Sequence, residues 1–135
     1  MADAYLVRER IDAGRRLIDG VTAAGVEVAA AFWAVRGDRD RWELYLAVPG
    51  VDKTGSLPVY GHVNRVYWQL SEVDQDAIGS FGIRVESATS RLAQAVIDHV
   101  RRYPRAAGNR LETTLLGGEY VESLYAYPFS ALTPA

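Results

Sequence analysis

The sequence predicts an α+β domain in two layers, with three helices packed on about five mostly antiparallel strands, and three observations point there. Apolar residues recur at helical spacing in three separate stretches. Between and after them lie stretches of alternating apolar residues, two pairs of which are joined by short polar or glycine-rich turns. The balance of 49% hydrophobic and 24% charged residues in 135 is that of one ordinary globular domain, which at this size buries roughly two-thirds of the surface its unfolded chain exposes.

The first helix is expected over Asp3 to Ala24, because Val7, Ile11, Leu17, Ile18 and Val21 fall on one face. Asp3 can cap its start, and Gly25 can take the left-handed conformation that ends it. Gly14 interrupts the stripe at a cost in helix propensity, which a close approach by another backbone would offset. Val26 to Val35 is apolar on both alternating faces, the mark of an interior strand. The polar stretch Arg36 to Arg41 turns the chain into a hairpin partner, where Trp42, Leu44, Leu46 and Val48 alternate with Glu43, Tyr45 and Ala47. Pro49 to Gly55 has loop chemistry, with Asp52 able to bond the backbone two residues on.

A second helix carries Val59, Val63, Val66, Tyr67 and Leu70, with Pro58 in its first turn and Gly61 as a weakening interruption. The acidic stretch Glu72 to Gly79 is expected as a loop, with Asp74 and Asp76 solvated. Phe81, Ile83 and Val85 alternate as a strand. The third helix, capped by Ser87 or Thr89, presents Leu92, Val96, Val100 and Tyr103 on one side and stops at Pro104. Arg110 to Leu116 and Tyr120 to Phe129 form a closing hairpin through Gly117-Gly118. The order is α-β-β-α-β-α-β-β, with helices covering one face of the sheet; the domain spans 1–129 and the remaining 130–135 are expected as a flexible tail.

Composition narrows the chemistry. The chain lacks cysteine, which excludes disulfides, thiolate metal sites and cysteine nucleophiles and suits a reducing, cytoplasmic compartment. A formal net charge of −2 provides no global attraction to nucleic acid, and neither a signal sequence nor a bilayer-spanning run is evident. His62 and His99 lie on different expected helices without ligand spacing, so no metal site or cofactor is expected. No Gly-x-Ser-x-Gly elbow occurs, and Gly117-Gly118 precedes a strand rather than the helix a phosphate loop needs. Glu119 and Glu122 fall on opposite faces of a strand unless a bulge intervenes.

Two surfaces remain. Arg101, Arg102, Arg105 and Arg110, with Tyr103 among them, gather around a helix end and offer phosphate or nucleic-acid contacts, although cations there also offset the helix dipole. Tyr120, Ser123, Tyr125 and Tyr127 on the last strand offer an interface to a second copy. A catalytic reading would require the scattered Arg36, Asp52, Arg84, Glu86, His99 and Glu122 to converge.

Ala31-Phe32-Trp33, Pro49-Gly50-Val51-Asp52, Gly82 to Ser87 and Tyr120 to Tyr127 resemble small bacterial proteins of uncharacterised function. The resemblance implies a shared α+β domain and carries no activity onto named residues; Pro49-Gly50 departs from the Ser-Pro of that loop. The expected function is a non-catalytic protein-interaction or ligand-binding module acting as a homodimer. The alternative is a phosphate- or nucleic-acid-binding protein, or an enzyme, using Arg101 to Arg110 with nearby carboxylates.

Overall fold

The computed structural model describes residues 8–36, 41–79, 82–103, 110–116, 119–129 and 132, with the backbone alone for 110–116, 119, 120 and 122. The elements run α1 (Arg8–Ala23), β1 (Ala30–Arg36), β2 (Glu43–Val48), α2 (Val51–Thr54), α3 (Leu57–Gln69), α4 (Glu72–Ile78), β3 (Ile83–Ser87), α5 (Arg91–Arg102), β4 (Arg110–Leu116) and β5 (Glu119–Ala126). The sheet order is β3-β2-β1-β5-β4. β1 pairs antiparallel with β2 and β5, and β5 with β4, while β2 and β3 run parallel. That parallel pair needs a long crossover, which α2, α3 and α4 supply.

The expectation of two layers, with helices on one face, is corrected. Ala31, Trp33, Val35, Leu44, Leu46, Val48, Ile83 and Val85 face a core shared with α1, α3 and α4. Ala30, Phe32, Ala34, Tyr45, Ala47, Leu124 and Ala126 face a second core closed by Leu92, Ala93, Val96, Ile97 and Val100 of α5. A strand apolar on both sides must be covered on both sides, so the sheet lies between two helical layers.

Two helices appear where loops were expected. α2 is one turn inside the Pro49–Gly55 segment. α4 forms because the Ser71 hydroxyl accepts from Asp74 N at 3.2 Å and caps it, while Ile78 turns into the core. Strand β1 starts four residues later than expected, since Gly25 and Val26 complete the end of α1. Gly25 takes φ 92°, and the bonds Gly25 N to Thr22 O (3.0 Å) and Val26 N to Val21 O (3.2 Å) close a Schellman motif. The cap of α5 is Ser90, whose Oγ accepts from Ala93 N at 3.1 Å; Ser87 and Thr89 instead bond each other at 2.7 Å. Asp3, Pro104 and the Gly117-Gly118 turn lie outside the described residues. Leu132, assigned to the tail, is buried in the α1-side core.

Gly14 does admit a close neighbour, but that neighbour is side chain rather than backbone. A Cβ at Gly14 would overlap the Tyr127 hydroxyl and stand 3.0 Å from Trp33 Nε1. Trp33 Nε1 donates to Tyr127 Oη at 3.0 Å, and Tyr127 Oη donates to the Ile11 carbonyl at 2.6 Å. Burial drives the Tyr127 phenol far above its ordinary pKa, so it serves this network as a neutral hydroxyl. Gly20 similarly admits Val66 of α3.

Asp74, expected in solvent, is buried and takes Arg16 of α1 through two bonds, Nε to Oδ2 at 2.6 Å and Nη2 to Oδ1 at 2.7 Å. The Arg16 hydrogen bonds hold its carboxyl below the usual range. A depressed folded pKa contributes stability that is present above the unfolded value near about 3.9 and is lost as pH falls through the folded one. Asp74→Asn is therefore expected to be less stable than wild type at neutral pH, with the two urea-unfolding curves converging in acid. A separation that persists unchanged into acid would count against this ion pair as its source.

Candidate functional site

α5 packs chiefly over β1, β5 and β4, with Tyr45 and Ala47 of β2 in the same core, and polar side chains occupy this face alongside them on β2 and β3. Register sets their positions. Phe32, Tyr45 and Arg84 lie side by side across β1, β2 and β3, and Ala30, Ala47 and Glu86 form the next row. Glu43 and Arg36 occupy the same face toward the other end of their strands, because alternate residues share a side.

These side chains converge. Arg84 Nε donates to Glu43 Oε2 at 3.0 Å, and Arg41 Nη2 stands 3.7 Å from the same oxygen. Glu43 is 1% exposed, and the arginine stems and guanidinium groups beside it contribute to its cover. Arg36 Nη1 lies 3.9 Å from Glu86 Oε1, and Ser90 Oγ donates to Glu86 Oε2 at 3.1 Å. The Tyr45 ring stacks on Phe32 at 5.1 Å with 4° between planes, and its hydroxyl is hydrogen bonded by Arg36. Burial pushes the Tyr45 phenol up; the Arg36 bond opposes this and the Glu43 and Glu86 charges add to it. The result is three arginines, two carboxylates and a neutral phenol over an aromatic floor.

No protein-family model, curated protein or solved structure matches this chain.

Of the six polar residues whose convergence a catalytic reading required, Arg36, Arg84 and Glu86 meet. Asp52 is exposed on α2, away from this cluster's ion pairs. His99 lies on α5 against Tyr103, ring centroids 5.3 Å apart, with its buried Nε2 lacking a hydrogen-bond partner among the described residues. Glu122 sits at a bulge: Ser123 pairs with Val35 but Val121 with Arg36, so β5 carries one extra residue there. The bulge lets Val121 and Leu124 enter one core despite odd spacing. Sequence reasoning missed Glu43 and Tyr45. Both stood on the face of β2 opposite Leu44 and Leu46, and the apolar second face of β1 beside them was the available sign that this side is buried too.

The two surfaces fare differently. Arg101, Arg102 and Tyr103 are exposed at the end of α5, Arg105 lies outside the described residues, and Arg110 opens β4 opposite Tyr125. Of the hairpin residues, Ser123 and Tyr127 are buried in their own domain, and the half-buried Tyr125 packs edge-on against Tyr127 at 5.4 Å beside the α1-side core. Tyr120 is placed by backbone alone, opposite Leu115. Among the described residues no group of three His, Cys, Asp or Glu is disposed to hold a metal ion, and no helix is long and apolar enough to cross a membrane.

Proposed function

We propose that this chain is a non-catalytic binding module that takes a small anion, a phosphate or carboxylate group, between Arg36 and Arg84 over the Tyr45 hydroxyl. The observation that carries this reading is that Arg36 and Arg84 stand on one face of the sheet with side chains 27% and 37% exposed, so solvent and solutes reach both guanidinium groups. The planar fork of a guanidinium suits an anion with two oxygens, beside the contacts that Arg36 makes with Tyr45 and Glu86. Arg84 commits Nε to Glu43, and a guanidinium has five donors. Both carboxylates are engaged by neighbours, and their part is to hold the arginines in place.

Calorimetric titration of the wild-type protein with inorganic phosphate and with acetate tests this. Saturable binding of one equivalent is expected, weakened about tenfold or more by Arg36→Gln, the loss of one charge-assisted contact. No saturable binding of either anion, or binding indifferent to Arg36→Gln, would overturn the reading. Loss of binding on Arg101→Ala/Arg102→Ala alone would move the anion to the end of α5 and favour the phosphate or nucleic-acid alternative.

A further inference from the structure

α3 buries Val63, Val66 and Tyr67 against its own domain and leaves the opposite side bare. On that side Leu57 is 81% and Trp68 66% exposed, and Gly61 and Asn64 lie exposed between them. Large apolar groups so far from solvent-avoiding positions mark contact surfaces rather than random exposure when they line one stripe.

Gly61 supplies an independent observation. A helical glycine costs about 1 kcal/mol relative to alanine, and elsewhere in this fold that cost has a visible reason, since Gly14 and Gly20 make room for Tyr127 and Val66. At Gly61 a Cβ would meet nothing within 4 Å, and its backbone is not in the left-handed region. Nothing among the described residues uses the missing side chain. Its use lies outside, where a glycine lets another helix approach closely.

We infer that the occupant is α3 of a second copy of this chain, packed antiparallel about a two-fold axis. Leu57, Gly61, Asn64 and Trp68 follow one another at steps of four, three and four, the same read from either end. An isologous contact needs that self-complementarity. Antiparallel pairing sets each Leu57 against the partner's Trp68 and each Asn64 over the partner's Gly61. Charge agrees at the ends: Lys53 lies before α3 and Glu72 after it, both exposed, so the two-fold brings opposite signs together. The surface is separate from the anion site, which lies on the α5 side of the sheet.

Sedimentation equilibrium of the full chain across micromolar concentrations tests this. A monomer–dimer equilibrium is expected, and Trp68→Glu should raise its dissociation constant about 30-fold or more, as for a large aromatic anchor of an interface. Gly61→Leu should do the same while leaving thermal stability equal or higher, because leucine favours the helix and has open space within its own domain. Trp68 fluorescence should shift to shorter wavelength with dimer formation, and Trp68→Phe should abolish the shift. A monomer at every concentration would overturn the inference, and so would a dimer that survives both Trp68→Glu and Gly61→Leu, including one held by the β4 edge.

Discussion

Gly14→Ala is expected to lower the unfolding free energy by about 2–3 kcal/mol, the scale of overpacking in a tight interior. On an exposed helix the same change would stabilise by about 1 kcal/mol. Here the new methyl group would occupy the place of the Tyr127 hydroxyl. Either α1 moves away from the sheet, or Tyr127 releases Trp33 Nε1 and the Ile11 carbonyl, which it bonds at 3.0 and 2.6 Å. Urea unfolding of a double-mutant cycle separates these terms. Tyr127→Phe alone should cost about 1–2 kcal/mol, because Trp33 loses a buried acceptor. Combined with Gly14→Ala it should cost less than the sum by about 1 kcal/mol or more, since the clash and the hydroxyl disappear together. Additive costs would place the strain elsewhere.

Arg84→Leu is the second large effect, with an expected loss of about 2–4 kcal/mol. Its source is the carboxylate left behind: Glu43 is buried, and its hydrogen bond from Arg84 Nε at 3.0 Å would be gone. Arg84 is partly exposed and Arg41 stays 3.7 Å away, so the lower part of that range is favoured. Removing the carboxylate as well should restore most of the loss, because a buried ion pair replaced by apolar groups is close to neutral. Glu43→Leu/Arg84→Leu is therefore expected to unfold near the wild-type urea midpoint. A double variant as unstable as Arg84→Leu would mean that the arginine acts through packing, not through the charge it answers.

Much of the fold could be read from local chemistry. Gly25 ends α1 as its freedom at positive φ predicts, Pro58 stands in the first turn of α3, and Ile83 and Val85 alternate into one core. Readings failed where a local rule met a tertiary demand. Asp74 looked like a loop carboxylate because the Arg16 that buries it lies fifty-eight positions away. The layer count failed although β1 displayed apolar residues on both faces, since three helices and two apolar faces permit more than one distribution. Tyr127, next after β5, turned inward to Trp33 and the Ile11 carbonyl; aromatic content alone does not say which molecule covers it. Glu43, Tyr45, Arg84 and Glu86 are ordinary strand residues in sequence, and only the parallel pairing of β2 with β3 makes them neighbours.

Strand β1 lies in the middle of the sheet, yet Trp33 pairs on one side with Leu44, nearby in the chain, and on the other with Tyr125, far along it. During synthesis the hairpin of β1 and β2 can form early, while the opposite edge of β1 keeps its amides and carbonyls unanswered until β5 has left the ribosome. Contacts so distant in sequence slow folding, and an open apolar edge invites pairing with other nascent chains. The last strand thus acts as a latch in time as well as space. Chains that stop short of it should be sticky, and refolding yield should fall as concentration rises, with the loss set by how quickly β5 reaches its place beside β1.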